Sequence, residues 1–452
     1  MLNKKFVWIF PMLFVLELIF GVSGTMIVIN GIAIRHILFI LTFLSLYGYT
    51  AYYIWVNKIR VFSLEKGAIF GDFNKTDWFA VVFEAALLIS MTIIPMIKGT
   101  NLRYAYSEVF DSAAIFSLYF ALSFLIKEKE IDIDKFLNYV KWCIFAFGIQ
   151  HIIFYYAQEA DAHFMEKFFT GVVDLAGGNG IVQSFVLGHG GYTRITFNTS
   201  IYFLVGLFVF LYQLEANKWY DYIIYLTELV AMLTTMTKSI WLGAGLAFIL
   251  MSVAIIIYGF RKNKKLIRKM ITAAALSLLI VCVTDTYMFD HAVSIRLLNT
   301  FVTQSDGEYD NEMMQLDREG AALSNTIKLE QISKLLDKWK ESPILGHGYG
   351  SYVEGYLRSE VAPFSYEMQL FALLMKIGIL GLGIWIVFYI IQFVSLIRLK
   401  NPRWIHIFAW VFLLMSMVIC VQTNPLLISF TGMSVLLFIS VMTINELTLS
   451  EA

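Results

Sequence analysis

The chain has 452 residues, of which 59% are hydrophobic and 16% aromatic, with a mean hydropathy of +0.70. A soluble protein of that composition would expose much of its apolar surface, so the chain reads as a polytopic membrane protein. The 34 basic residues balance the 34 acidic ones, which excludes the basic signature of a nucleic-acid binder.

Lys4 and Lys5 precede the first apolar run as in a signal peptide, but no small-residue cleavage site follows, so this run is expected to stay as a first span. Runs long enough to cross a bilayer fall near 6–29, 36–56, 78–97, 106–126, 136–157, 199–214, 220–236, 240–260, 269–288, 366–397, 403–422 and 425–445. The run at 106–126 is weakened by Glu108 and Asp111. Basic clusters, above all Arg261 to Lys269 in "RKNKKLIRK", put the intervening turns and both termini on the cytoplasmic side. The expected fold is therefore all-α and polytopic. It is a single integral-membrane domain over 1–452, with about 12 transmembrane helices and two long extracytoplasmic loops at 158–198 and 289–365. Cys143, Cys282 and Cys420 each sit in an apolar run and read as small buried hydrophobes, not a disulfide set or metal site. Glu17, Glu84, His151, Glu228 and Lys376 fall inside predicted spans, where they are expected to pair or to line a cavity.

The first loop ends in "GYTRITFNTS", with Arg194 and Asn198 where a span begins. An arginine there presents a planar fork suited to phosphate, or else snorkels to lipid headgroups. "TTMTKSIWLGAG" follows, with Lys238 at the turn between two spans, and Arg296 follows the next pair of spans. In the second loop, Asp306, Glu308, Asp310 and Glu312 form an acidic run that reads as solvated, and no metal site is expected. Leu329, Ile332, Leu335, Leu336 and Trp339 recur at helical spacing and predict an amphipathic helix over 325–340, capped by Ser324 and carrying Lys328.

The second loop closes with "SPILGHGYGSYVEGYLRSEVAPFSYEMQLFALLMKIGILGLG", from Ser342 to Gly383. Gly346, Gly348 and Gly350 serve either as a cradle of exposed backbone N–H groups for a ligand or as the turns of a structured loop. Arg358, Tyr366 and Glu367 follow. His347 and His189 lie in the two Gly-rich loops, and His347 either polarises a sugar hydroxyl or faces solvent. Glu367 stands at the start of an apolar span, as a proton acceptor or as a helix-start carboxylate.

The pattern P-x-x-G-x-G-x-G, a variable loop, a polar pair and then x-G-I-L-G-L resembles the C-terminal signature of the bacterial O-antigen ligase and O-antigen polymerase superfamily. The resemblance implies a GT-C-like integral-membrane glycosyltransferase of the bacterial inner membrane, without cofactor. It implies an undecaprenyl-pyrophosphate-linked oligosaccharide as donor and as acceptor, with membrane lipid around it and room for a chain-length regulator protein. It implies Glu367 as catalytic base, with Arg194, Arg296 and Lys328 as pyrophosphate contacts; Arg358, His347 and Tyr366, beside Glu367 in the same stretch, join them as candidate substrate contacts. Lys238 stands where the family usually has arginine. Glu367 stands where the ligase branch has histidine, which favours a polymerase over a ligase. Membrane-embedded charge keeps a lipid-linked glycan flippase in view.

Overall fold

The computed structural model describes residues 7–21, 28–29, 32–175, 192–299, 312–357, 359–360, 362–422 and 424–451. These are nearly all helical. α1 (Ile9–Phe20) leads through a two-residue antiparallel ladder, β1 (Val28–Ile29) with β2 (Ile32–Ala33), into α2 (Ile34–Val56). α3 (Lys75–Met91) and α4 (Ile93–Lys98) form one run interrupted at Thr92, followed by α5 (Leu102–Lys127), α6 (Ile133–Ala160) and α7 (Phe164–Leu175). A 3-10 turn at Asn198–Ile201 opens α8 (Tyr202–Tyr212). Then come α9 (Trp219–Thr234), α10 (Lys238–Lys262), α11 (Lys264–Tyr287), α12 (Ala292–Leu298), α13 (Glu312–Lys340), α14 (Gln369–Ile397), α15 (Trp404–Cys420) and α16 (Phe430–Glu451).

Among the described residues, 8 helical runs are long and apolar enough to cross a membrane: α2, α3 with α4, α5, α6, α10, α11, α14 and α16. α1, α15 and the 198–212 helix are shorter and also apolar. The chain is thus a multi-pass membrane protein. Local chemistry sets where several of these helices start. Asn74 and Asp77 form a reciprocal capping box at α3, and Asp132 caps α6 through Lys135 N at 3.0 Å. α8 is apolar on every side, and all its residues from Tyr202 to Tyr212 are buried. That composition belongs at the centre of a bundle, and α8 packs there against α6, α9 and α15. α11, by contrast, leaves Leu278, Leu279 and Ile271 exposed on one face.

Two sequence expectations need correction. The helix of the second loop starts at Glu312, so Ser324 lies inside it and does not cap it. The intervening stretch has no proline and only Gly320, whose surroundings are open, so nothing stops the helix earlier. Cys143 and Cys420 are buried as expected, but Cys282 lies on the exposed apolar face of α11, because an apolar run does not say which of its faces packs.

Candidate functional site

The Gly-rich loop and the broken span α14 form one interlocked unit. Gly378 has φ 63° and ψ −173°, which interrupts α14 after Ile377. In an unbroken helix the amides of Ile379 and Leu380 would bond the carbonyls of Met375 and Lys376. Here they donate instead to the carbonyls of Pro343 (3.0 Å) and Ile344 (3.1 Å). The carbonyls of Met375 and Lys376 in turn accept from the amides of His347 (3.1 Å) and Gly348 (2.7 Å). The loop therefore replaces, bond for bond, the helical pairs lost at the break. A membrane-embedded backbone requires such replacement, because no water is there to take the orphaned groups.

This decides between the two readings of the glycines. Gly346, Gly348 and Gly350 have φ of 70°, 84° and 78°. Their amides go to Ser342 O, Lys376 O and the Glu108 carboxylate, so they are not a cradle held open for a ligand. A Cβ on Gly346 would lie 2.3 Å from Lys376 O. His347 is committed as well. Its Nε2 donates to the Lys338 carbonyl (2.9 Å) near the end of α13, which also accepts from Glu341 N (3.2 Å), and burial holds its pKa below the ordinary histidine value.

Above the break stands a short half-helix, Gln369–Ile377, with Glu367 in the turn that enters it. Glu367 is half-buried. The next amide, Met368 N, donates to Gln331 Oε1 of α13 at 2.9 Å. Tyr366 is buried, its hydroxyl accepts from Val353 N at 2.8 Å, and burial pushes its pKa up to about 12. Lys376, at the foot of the half-helix, forms a buried ion pair with Glu108 of α5 and also donates to the Phe364 carbonyl (2.7 Å). A recess of about 140 Å³ opens beside this pair, lined in part by Ser107, Ser365, Tyr366 and Gln369. Glu108 was legible only as a charge that weakens a span. The missing signal was its partner, since several carboxylates in apolar runs could have met Lys376.

The two arginines meet on one short segment. Arg194 lies in the extended stretch Tyr192–Phe197, which is held to the "TTMTK" turn by Ile195 N to Thr234 O at 3.0 Å. Its Nε donates to Thr196 Oγ1 (3.0 Å) and Thr235 O (3.1 Å), and Nη2 to Thr237 Oγ1 (3.3 Å). Arg194 and that turn, separate motifs in the sequence, are thus one structure. Arg296 of α12 lays its guanidinium over the Tyr192 ring, 4.7 Å from its centroid. Arg194 thus belongs to this stretch, and Arg296 stacks on its first residue. α12 packs on α13, and α13 packs on α14. On α13, Lys328 shares a helical stripe with Gln331 and Leu335, the residues that face the mouth of α14. Arg358 and His189 lie outside the described residues, as do Asp306, Glu308 and Asp310. Among the described residues no group of His, Cys, Asp and Glu side chains could hold a metal ion.

Residues 223–386 match the family model described as O-antigen ligase. The match covers well under half of the chain, and over those residues it supports the resemblance to the O-antigen ligase and polymerase superfamily. No curated protein and no solved structure matches it. The O-antigen ligase match runs from α9 through the broken span, so it takes in Arg296, Lys328, the Gly-rich loop, Glu367 and Lys376. Arg194 and Glu108 lie outside it, on segments that the fold folds back against the matched region.

Proposed function

We propose that the protein is a surface-polysaccharide polymerase that joins oligosaccharide repeats carried on undecaprenyl pyrophosphate. The observation that carries this reading is the pair of arginines on one segment, Arg194 within Tyr192–Phe197 and Arg296 stacked on its first residue, Tyr192. Burial lowers the pKa of Arg194, so its charge is incompletely hydrated and an anion beside it is favoured. A pyrophosphate suits two such forks.

In the proposed reaction a sugar hydroxyl of the acceptor attacks C1 of the donor sugar. The new C1–O bond forms as the bond from C1 to the pyrophosphate oxygen breaks. The pyrophosphate leaves with the electron pair, and its charge is stabilised by Arg194 and Arg296, with Lys328 as a further contact. Glu367 takes the proton of the hydroxyl. Attack opposite the leaving group inverts the anomeric carbon. The donor brings its own leaving group, so the chemistry asks for no nucleotide. An apolar cavity of about 940 Å³, lined by Leu18, Leu46, Leu118, Val205 and Phe438 among others, has the chemistry to take a polyprenyl chain.

The reading places about 12 spans in the inner membrane by adding α1, α8, α9 and α15 to the eight longer runs. Both termini are then cytoplasmic, and Glu367 faces the exterior. A ligase is the second reading, favoured by the description of the matched family; the glutamate at 367 favours the polymerase. The flippase reading rested on embedded charge. Much of that charge is used internally, since Glu17 pairs with Arg35 at 2.7 Å, Lys376 pairs with Glu108, and His151 bonds Ser200 at 3.1 Å.

Purified protein given a synthetic undecaprenyl-pyrophosphate-linked repeat is expected to make a ladder of products. A single transfer onto a lipid A core or a protein would identify a ligase. Lipid movement across a vesicle without any new glycosidic bond would replace both readings with a transporter. Arg194→Ala is expected to cut donor use by about one to two orders of magnitude, the scale of one lost charge-assisted contact. Arg194→Lys restores only part, because a lysine cannot reproduce the three bonds to Thr196, Thr235 and Thr237. Full rescue by lysine, read in the same assay, would leave plain charge as the explanation.

A further inference from the structure

We propose that Glu108 and Lys376 are positioning residues that set the direction of Glu367. This rests on the reading of Glu367 as the base. The two side chains are 7% and 3% exposed. Burying an ion pair costs desolvation on both sides, and a well-packed apolar pair is often as stable, so stability alone does not account for it.

Its contacts account for it better. The Lys376 ammonium touches three things: the Glu108 carboxylate, the Phe364 carbonyl at 2.7 Å, and the face of the Tyr366 ring at 5.7 Å. The second Glu108 oxygen accepts from Gly350 N at 2.7 Å. One ion pair thus joins α5, the Gly-rich loop, the half-helix and the segment that enters it. The break at Gly378 makes this necessary. Across an intact helix the lower turns would dictate where the upper ones point. Across Gly378 they do not, so the direction of Gln369–Ile377 is set by what grips it. Glu367 follows Tyr366 directly and comes three residues after Phe364, and both are held by Lys376. A shift of the ammonium moves the base, and a displacement of about 1 Å at a reacting group is enough to cost on the order of a hundredfold in rate.

The test uses the purified full-length protein on the synthetic lipid-linked repeat. Glu108→Gln, Lys376→Met and the double variant are each expected to lower kcat by about ten- to a hundredfold. KM for the donor should stay within about twofold, because the arginines are untouched. The double variant removes both charges together and should still insert, melting only modestly below the parent because the Phe364 carbonyl loses its donor. The exchanged pair, Glu108→Lys with Lys376→Glu, should recover part of the loss. In a Glu367→Asp background, Glu108→Gln should add little, because both changes act through one carboxylate. A double variant with parental kcat, a loss confined to KM, or full multiplication of effects in the Glu367→Asp background would overturn the proposal. Glu367→Gln at full activity would instead remove the base assignment on which it rests, so the two failures are told apart.

Discussion

On the proposed reading, Glu367→Gln is expected to abolish chain extension while the protein still inserts and accumulates. Glutamine keeps the shape of the side chain but cannot accept the proton of the attacking hydroxyl. Loss of a positioned general base costs about 10²–10⁴ in rate, enough to remove visible polymer. Accumulation is preserved because the fold around Glu367 is held by other groups: Met368 N on Gln331, Tyr366 on Val353 and Lys376 on Phe364. Product ladders and kcat read the activity, and immunoblots of membranes read the accumulation. Polymer of normal length from this variant would take Glu367 out of the mechanism. Loss of protein together with polymer would assign it to the fold.

The second large effect falls on Gly378. Its backbone, at φ 63° and ψ −173°, occupies a region essentially confined to glycine, and an added Cβ would lie 2.2 Å from Ile344 O. Gly378→Ala therefore meets about 1–3 kcal/mol of backbone strain and a clash with main chain that cannot rotate away. Relief requires the loop to withdraw, which breaks the bonds made by Ile379, Leu380, His347 and Gly348 at about 1 kcal/mol each. The sum is a large part of a marginal stability of about 5–15 kcal/mol. The variant is expected to accumulate poorly and to melt well below the parent. Gly383 is the control, because a Cβ there meets nothing within 4 Å. Gly383→Ala should leave thermal unfolding of the purified protein unchanged. Equal unfolding temperatures for the two variants would mean that the loop and the break do not interlock.

The first prediction draws on a residue that the sequence singles out, the second on a glycine that the sequence shows only as part of the x-G-I-L-G-L pattern. Glu367 stands out as a carboxylate at the start of an apolar span, but that position suits a proton acceptor and a helix-start carboxylate alike, and the catalytic role comes from the resemblance. The glycine run could be marked as special but not interpreted. Three alternating glycines are compatible with a phosphate cradle and with a tight loop, and only the partners of their amides separate the two. Arg194 and the "TTMTK" turn are separate features along the sequence, and nothing in their spacing says that the first hydrogen-bonds the second. Periodicity locates the C-terminal part of the helix of the second loop, where it is strong. The start is not legible, because Ser324 offers a good cap that the longer helix does not use.

By itself the sequence determined the many apolar helices, because the length and polarity of a run are local and the bilayer answers to them directly. It also marked which residues could carry chemistry, since charge in apolar surroundings is conspicuous wherever it occurs. The tertiary structure alone decided the partners. Lys376 finds Glu108 across 268 residues, and the amides of the Gly-rich loop find a helix broken thirty residues further on. Such pairings answer to desolvation and to unmet hydrogen bonds in three dimensions, which leave no period or spacing along the chain.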